Sequence, residues 1–338
     1  MSDRPLVVVL GASGFVGSAL VAELVRRDVR LRLVARRPAV VPPGHAAEAE
    51  VEVRTADLTV AGQVAEAIAG ADAVINLLLY TGGGGTWRAA EDESPGERVN
   101  VGVVRDIVTA IRAERRDGPP PVVLFPGSTS QVGPRAEARI DGTEPDAPVT
   151  AYDRQKLAAE RELKAATKEG LLRGVTLRLG TVFGGRVSPT ATDRGVVTTM
   201  ARRALAGEPL TVWNDGTAER DLLYVEDVAG AFLAALDHAD SLAGRHWLIG
   251  TGGGRSVRDI FTTIAETVAA RTGAPAVPVV SVPAPPDATG MDFHSVVADP
   301  VAFHTVTGWQ ARVPFREALE RTVSSLTCED GVPDGPPP

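Results

Sequence analysis

Cysteine is nearly absent: the 338 residues contain one, Cys328. A single thiol can make no internal disulfide and no zinc cage, so a reducing, cytoplasmic setting is expected. Aromatic residues make up only 4%, too few for the stacking platforms that hold single-stranded nucleic acid. Basic residues are outnumbered, 35 Lys and Arg against 43 Asp and Glu, for a net charge of −8. An acidic chain is a poor fit to nucleic acid or to an anionic membrane surface. The 5 histidines (His45, His238, His246, His294 and His304) show no metal-ligand spacing, so no metal site is expected. Long apolar runs are missing as well. The apolar stretch 6–10 suits a buried strand and falls far short of a membrane span, and residues 1–5 are too short and polar for a signal peptide.

Hydrophobic residues reach 44% and charged residues 23%, the profile of a globular chain with a sizeable core. The first half alternates strand-like and helix-like runs. Strands are expected at 6–10, 29–34, 51–55, 73–79, 122–125 and 175–179, and helices at 18–27, 63–69, 97–113 and 152–169. Parallel strands need crossovers, and right-handed crossovers put helices on both faces. The expected fold is therefore α/β, a Rossmann-type doubly wound parallel sheet. Beyond residue 181 glycine and proline break the pattern, with helices at 195–206 and 257–271. This reads as a smaller α/β substrate lobe. The expected division is 1–181 and 218–250 for the dinucleotide-binding domain, 182–217 and 251–328 for the second lobe, and 329–338 as a disordered, proline-rich tail.

Gly11, Gly14 and Gly17 follow the first strand at Gly-x-x-Gly-x-x-Gly spacing and open a helix. Glycine permits the tight turn, lets the backbone approach a pyrophosphate, and leaves helical N–H groups facing it. Ser13, Phe15 and Val16 within that loop, and Leu77 near the end of the fourth strand, are candidate cofactor contacts. An NAD site usually carries a carboxylate at the end of the second strand. Here the chain reads Leu33-Val34-Ala35-Arg36-Arg37. Two guanidinium groups without an acid fit a 2′-phosphate, so Arg36 and Arg37 point to NADP(H). Asp57 and Leu58, after the third strand, are placed to meet the adenine.

Tyr152 and Lys156 stand at i and i+4 and share one helix face. A phenol with a pKa of about 10 is a poor acid or base at neutral pH, and a neighbouring ammonium should lower that value. The fifth strand runs into Pro126-Gly127-Ser128-Thr129-Ser130, where Ser128 could hold a substrate oxygen that Tyr152 protonates, with Ser130 close by. Sites on parallel sheets form at the carboxyl ends of strands, so these groups should converge with the glycine loop.

Gly11-x-x-Gly14-x-x-Gly17, Ser128 and Tyr152-x-x-x-Lys156, in this order, resemble the extended short-chain dehydrogenase/reductase (NAD-dependent epimerase/dehydratase) family. The segment Arg220–Val228 looks like that family's entry to its second lobe, and the likeness spans most of residues 6–326. It implies that Tyr152 is the acid/base, that Lys156 binds the nicotinamide ribose, and that Ser128 bonds the reacting oxygen. It implies Arg220 on a nucleotide diphosphate, where a salt bridge to Asp221 or Glu226 is the structural alternative, and Thr181 in the substrate pocket. The stretches 84–88, 98–102 and 202–211 are similar to mycarose-type TDP-4-keto-6-deoxyhexose 4-ketoreductases of antibiotic deoxysugar pathways. That likeness implies NADPH-dependent reduction of the C4 ketone of a TDP-linked 4-keto-6-deoxy sugar, with Trp87 packing on the sugar or anchoring its loop. The chain departs from the family pattern at Leu10, where Thr is usual, at Thr181, where Asn is usual, and at 283–287, which lacks an Arg. Arg194, Arg202 or Arg255 could supply the missing phosphate contact. Ser128 is followed by Thr129 and Ser130, which cannot serve as the Asp–Glu pair of a 4,6-dehydratase. A 4-epimerase with bound NAD stays open, as does a non-catalytic NADP(H) sensor. The helices at 97–113 and 152–169 are expected to pair with their copies in a homodimer.

Overall fold

Seven strands form one parallel sheet in the computed structural model: β1 (Leu6–Leu10), β2 (Arg30–Ala35), β3 (Glu50–Thr55), β4 (Ala73–Asn76), β5 (Val122–Ser128), β6 (Arg173–Leu179) and β7 (His246–Ile249). The structure describes residues 4–42, 49–80, 93–114, 118–185, 191, 193, 195–286, 288 and 290–329. The spatial order is β7-β6-β5-β4-β1-β2-β3. From β1 the chain winds outward to β2 and β3, then crosses back to β4 on the other side. The carboxyl ends of β1 and β4 are thus the switch point where a doubly wound sheet opens a crevice.

Alternation along the strands sorts two cores. Val7 and Val9 meet Leu20 and Leu24 of α1 (Phe15–Leu24) on one face. Leu6, Val8 and Leu10 meet α2 (Gln63–Ile68), α3 (Val103–Ala113) and α4 (Ala151–Lys168) on the other. Both faces are covered, which is why β1 is apolar throughout. A third cluster joins Phe183, Leu210, Val212 and Tyr224 to α5 (Val196–Leu205), α7 (Val257–Thr272) and α8 (Phe315–Glu329). Between them α6 (Val225–Asp237) returns the chain to the face of α1.

Three elements differ from the sequence expectation. Helix α1 starts at Phe15, directly after Gly14, so the glycine loop itself is its N-terminus. Strand β4 ends at Asn76 and does not reach residue 79. Asn76 Oδ1 accepts from Leu78 N at 3.2 Å, and Asn100 holds both backbone groups of Tyr80, at 2.9 and 3.1 Å, drawing the chain off the sheet. Asn100 can do this because the segment Arg98–Gly102 ahead of α3 is π-helical, a deviation that recurs near functional sites. The proposed tail falls on residues 330–338, outside the described residues, while α8 runs to Glu329. Among the described residues no helix is long and apolar enough to cross a membrane.

Candidate active site

A cleft of about 610 Å³ opens along the carboxyl edge of the sheet. Gly11, Ser13, Gly14, Phe15, Val16 and Gly17 form its floor, and Arg36, Arg37, Asp57 and Leu58 line the β2–β3 end. Leu77, Ser128, Tyr152 and Lys156 line the rest. The glycine positions leave no room for side chains. A Cβ on Gly17 would sit 2.3 Å from the Gly11 carbonyl oxygen, and one on Gly11 would sit 3.1 Å from the Leu77 carbonyl carbon. Gly11 also adopts φ +87°, a left-handed conformation that glycine reaches without strain. The cradle therefore fits a pyrophosphate against the N-terminus of α1, with Arg36 and Arg37 lining the end of the cleft beside β2.

Helix α4 sets the candidate catalytic side chains. Thr150 caps it by accepting from Asp153 N at 3.1 Å. Tyr152 and Lys156 then fall one turn apart on the cleft side. Ser128 is fixed from behind. Its N–H donates to Gln131 Oε1 at 2.8 Å, and Gln131 Nε2 donates to Glu160 Oε2 at 3.0 Å. Glu160 in turn accepts two bonds from the enclosed Arg178, both 2.9 Å. Burial would push the Glu160 carboxyl up, but hydrogen bonds from His246 and Arg178 outweigh it and hold the carboxyl well below the usual range. A buried ion pair thus anchors the loop that carries Ser128.

The electrostatics correct one expectation. Tyr152 is held above the ordinary phenol value, not below it. Burial and the Asp153 charge both favour the neutral phenol, and a hydrogen bond from Ser128 only partly offsets them. Lys156 does not reverse this, because burial pushes its own ammonium down to about 7. Its Nζ donates to the Pro126 carbonyl at 2.8 Å and lies 5.7 Å from the Tyr152 ring centre.

The other candidates fare differently. Ser130 sits behind Ser128, with its hydroxyl 2.6 Å from Ser128 Oγ and bonded to Asp153. Thr181 is half-buried, and its N–H donates to the Asp221 carbonyl at 2.9 Å. The Arg220 guanidinium donates to the carbonyls of Glu219, Met291, Asp292 and His294, in place of the alternative salt bridge to Asp221 or Glu226. Trp87 and Arg194 lie outside the described residues. Arg255 lines a separate cavity, 5.0 Å over the Phe315 ring. Sequence reasoning missed two buried carboxylates. Asp193 lines the cleft and, ahead of α5, accepts from Gly195 N at 2.7 Å and from the Thr198 hydroxyl. Asp153 is enclosed next to Tyr152. Thr150-x-x-Asp153 is a recognisable capping pattern that could have flagged the second.

Residues 7–250 match the model of the NAD dependent epimerase/dehydratase family. The chain belongs to that family. It is 28% identical over 318 residues to a dTDP-6-deoxy-L-talose 4-dehydrogenase (NAD(P)(+)) of Kitasatospora kifunensis, covering 93% of each chain. It is 28% identical over 317 residues to a dTDP-L-rhamnose 4-epimerase of Burkholderia thailandensis, covering 81% of this chain and 83% of that one. Among solved structures, a Thermus thermophilus UDP-glucose 4-epimerase complex with NAD superposes with a TM-score of 0.75 at 26% identity, covering 95% of this chain and 98% of that one. The fold expectation thus holds for this member of the epimerase/dehydratase family.

Proposed function

We propose that this family member is an NADPH-dependent 4-ketoreductase acting on a TDP-linked 4-keto-6-deoxy sugar. The observation that carries the reading is the convergence of Ser128, Tyr152 and Lys156 on the cleft that begins at the glycine loop, with Tyr152 held as a neutral phenol. A neutral phenol is the form that gives a proton to a ketone oxygen as it is reduced. Bound NADPH supplies the hydride. Tyr152 protonates the C4 oxygen, Ser128 orients that oxygen, and Lys156 binds the nicotinamide ribose. Arg36 and Arg37 favour NADPH over NADH through charge-assisted bonds to a 2′-phosphate. The Kitasatospora relative's name, a C4 dehydrogenase of a dTDP-6-deoxy sugar, supports both the reacting carbon and the sugar class.

A 4-epimerase is the second reading, supported by the names of the Burkholderia and Thermus relatives. It would need Tyr152 to act first as a base. The test is NADPH and NADH oxidation with TDP-4-keto-6-deoxyglucose, followed by product NMR at C4. Stoichiometric NADPH loss with a new C4 hydroxyl is expected. Sugar interconversion without net cofactor loss would replace the reductase by the epimerase. Tight NADPH binding with neither change would leave the non-catalytic sensor.

The expected homodimer across α3 and α4 belongs to the same proposal. The seam these helices present carries ion pairs, Arg105 to Glu162 at 3.0 Å and Arg112 to Glu169 at 2.5 Å. Sedimentation at micromolar protein tests whether two such charged faces pair.

A further inference from the structure

The catalytic scheme leaves one buried carboxylate without a task. Asp153 is completely enclosed. Its Oδ2 accepts from the Thr150 hydroxyl at 2.6 Å, and its Oδ1 accepts from the Ser130 hydroxyl. Ser130 Oγ lies 2.6 Å from Ser128 Oγ, and Ser128 is hydrogen-bonded to the Tyr152 phenol. Capping of α4 explains the Thr150 contact. It does not explain the bond to Ser130, which comes from the loop after β5.

These groups form an unbroken chain of phenol, hydroxyl, hydroxyl and carboxylate. Each hydroxyl owns one proton, and an ionised carboxylate only accepts. With Asp153 ionised, Ser130 donates to it, Ser128 must donate to Ser130, and Tyr152 must donate to Ser128. With Asp153 protonated, all three bonds turn round. The chain therefore has two polarities, and the proton on Asp153 selects between them.

We propose that Asp153 is a positioning residue that exchanges a proton with Tyr152 through Ser130 and Ser128; this rests on Tyr152 being the acid of the proposed reductase. As Tyr152 gives its proton to the substrate oxygen, Ser128 passes its own to the phenolate, Ser130 to Ser128, and protonated Asp153 to Ser130. Each hydroxyl loses one proton and regains another. The net change is one proton lost from Asp153 and one gained at the substrate oxygen. Burial pushes the Asp153 carboxyl up, while Ser130, Thr150 and the Arg154 charge pull it down, with a net rise. The groups facing it from the β5 loop and from the cap are neutral hydroxyls, and the nearby Lys156 ammonium is turned to the Pro126 carbonyl.

Two readouts test this on the full chain. The first needs no substrate. The chain has 3 tyrosines, so the ultraviolet tyrosinate titration of Tyr152 is isolated by subtracting that of Tyr152→Phe. Asp153→Asn and Ser130→Ala should both move the Tyr152 signal to lower pH, because either change frees Ser128 to donate to the phenolate. Ser130→Thr keeps the hydroxyl and should titrate as wild type. A shift in Asp153→Asn alone, or in neither variant, overturns the relay, since an acid acting only by its charge does not need Ser130. The second readout is turnover of TDP-4-keto-6-deoxyglucose with NADPH. Asp153→Asn and Ser130→Ala should lower kcat at least about tenfold with KM nearly unchanged, and both should lose the same limb of the pH profile. Lower melting temperature with unchanged kcat and titration also overturns the relay. A wild type that does not reduce the sugar removes the reductase reading, and the titration still decides the relay.

Discussion

Replacing Lys156 by Met should stabilise the protein in mild acid and lose that advantage in alkali. Lys156 is only 2% exposed, and burial pushes its ammonium from about 10.5 down to about 7. The unfolded chain therefore keeps this proton up to about pH 10.5, and the folded chain only below about pH 7. Between those values only the unfolded form is protonated. The folded state then loses about 1.4 kcal/mol for each pH unit of descent. The loss reaches about 4–5 kcal/mol near pH 7 and stays constant below it, where both forms hold the proton. Methionine removes that penalty. It also strips the Pro126 carbonyl of the donor now at 2.8 Å, which costs about 1–3 kcal/mol. The net expectation is a gain of about 2–3 kcal/mol at pH 6 and a loss of about 1–2 kcal/mol at pH 10. Urea unfolding of wild type and Lys156→Met, followed by circular dichroism from pH 6 to pH 10, measures the difference directly. A difference that does not change with pH would refute the claim that the fold holds this lysine neutral.

Replacing Arg36 and Arg37 together by Ala should raise KM for NADPH about 10–100-fold, the worth of one or two charge-assisted bonds, and leave NADH nearly unaffected; steady-state kinetics with both cofactors checks it. Gly17→Ala should weaken dinucleotide binding at least about tenfold by calorimetry, because the new Cβ meets the Gly11 carbonyl oxygen at 2.3 Å. Glu160→Gln should destabilise by up to about 3–5 kcal/mol at neutral pH, since it takes from the enclosed Arg178 one of its two carboxylate partners and leaves it Asp146 at 2.8 Å. The Glu160 carboxyl is held low by the fold, so its contribution is present above the unfolded carboxyl's range and fades as pH falls through the folded value. Thermal melts of the two proteins should therefore converge in strong acid.

The parts of this molecule written locally were legible, and the parts written by long-range contact were not. Strand β1 keeps its expected bounds because five consecutive apolar residues between Pro5 and Gly11 allow little else. Helices α2 and α4 were read to within a residue at each end. The glycine loop, Ser128, Tyr152 and Lys156, which line one cleft, stand out in the sequence because each chemistry demands a residue type at a fixed spacing. Strand β7 was not named, since His246–Ile249 is four residues long and is a strand only through pairing with β6. Strand β4 ends early at Asn76 because Asn100, placed by a π-helical turn that no local pattern announces, holds the backbone of Tyr80 away from the sheet. The carbonyl contacts of Arg220 were hidden for the same reason. An arginine in a diphosphate position and an arginine that ties down four carbonyls look alike until residues 291–294 are brought against it.

The direction of the Tyr152 shift bears on which reaction the site runs. Either reaction at C4 passes a proton between the sugar oxygen and the phenol. A reductase begins with that proton on Tyr152, and an epimerase begins by taking it from the sugar. The protein's own groups keep the proton on Tyr152, burial first among the causes. On its other side Lys156 is neutral through much of the alkaline range, so it offers little charge there to hold a phenolate. Raising the pH therefore gives nothing to a reductase. It removes the proton first from Asp153 and later from Tyr152, and each loss slows proton delivery. The rate of ketone reduction should fall, and never rise, as pH climbs from 6 upward at saturating NADPH. A rate that instead climbs through the neutral range would mark Tyr152 as a base in the limiting step, and would turn the assignment toward the epimerase.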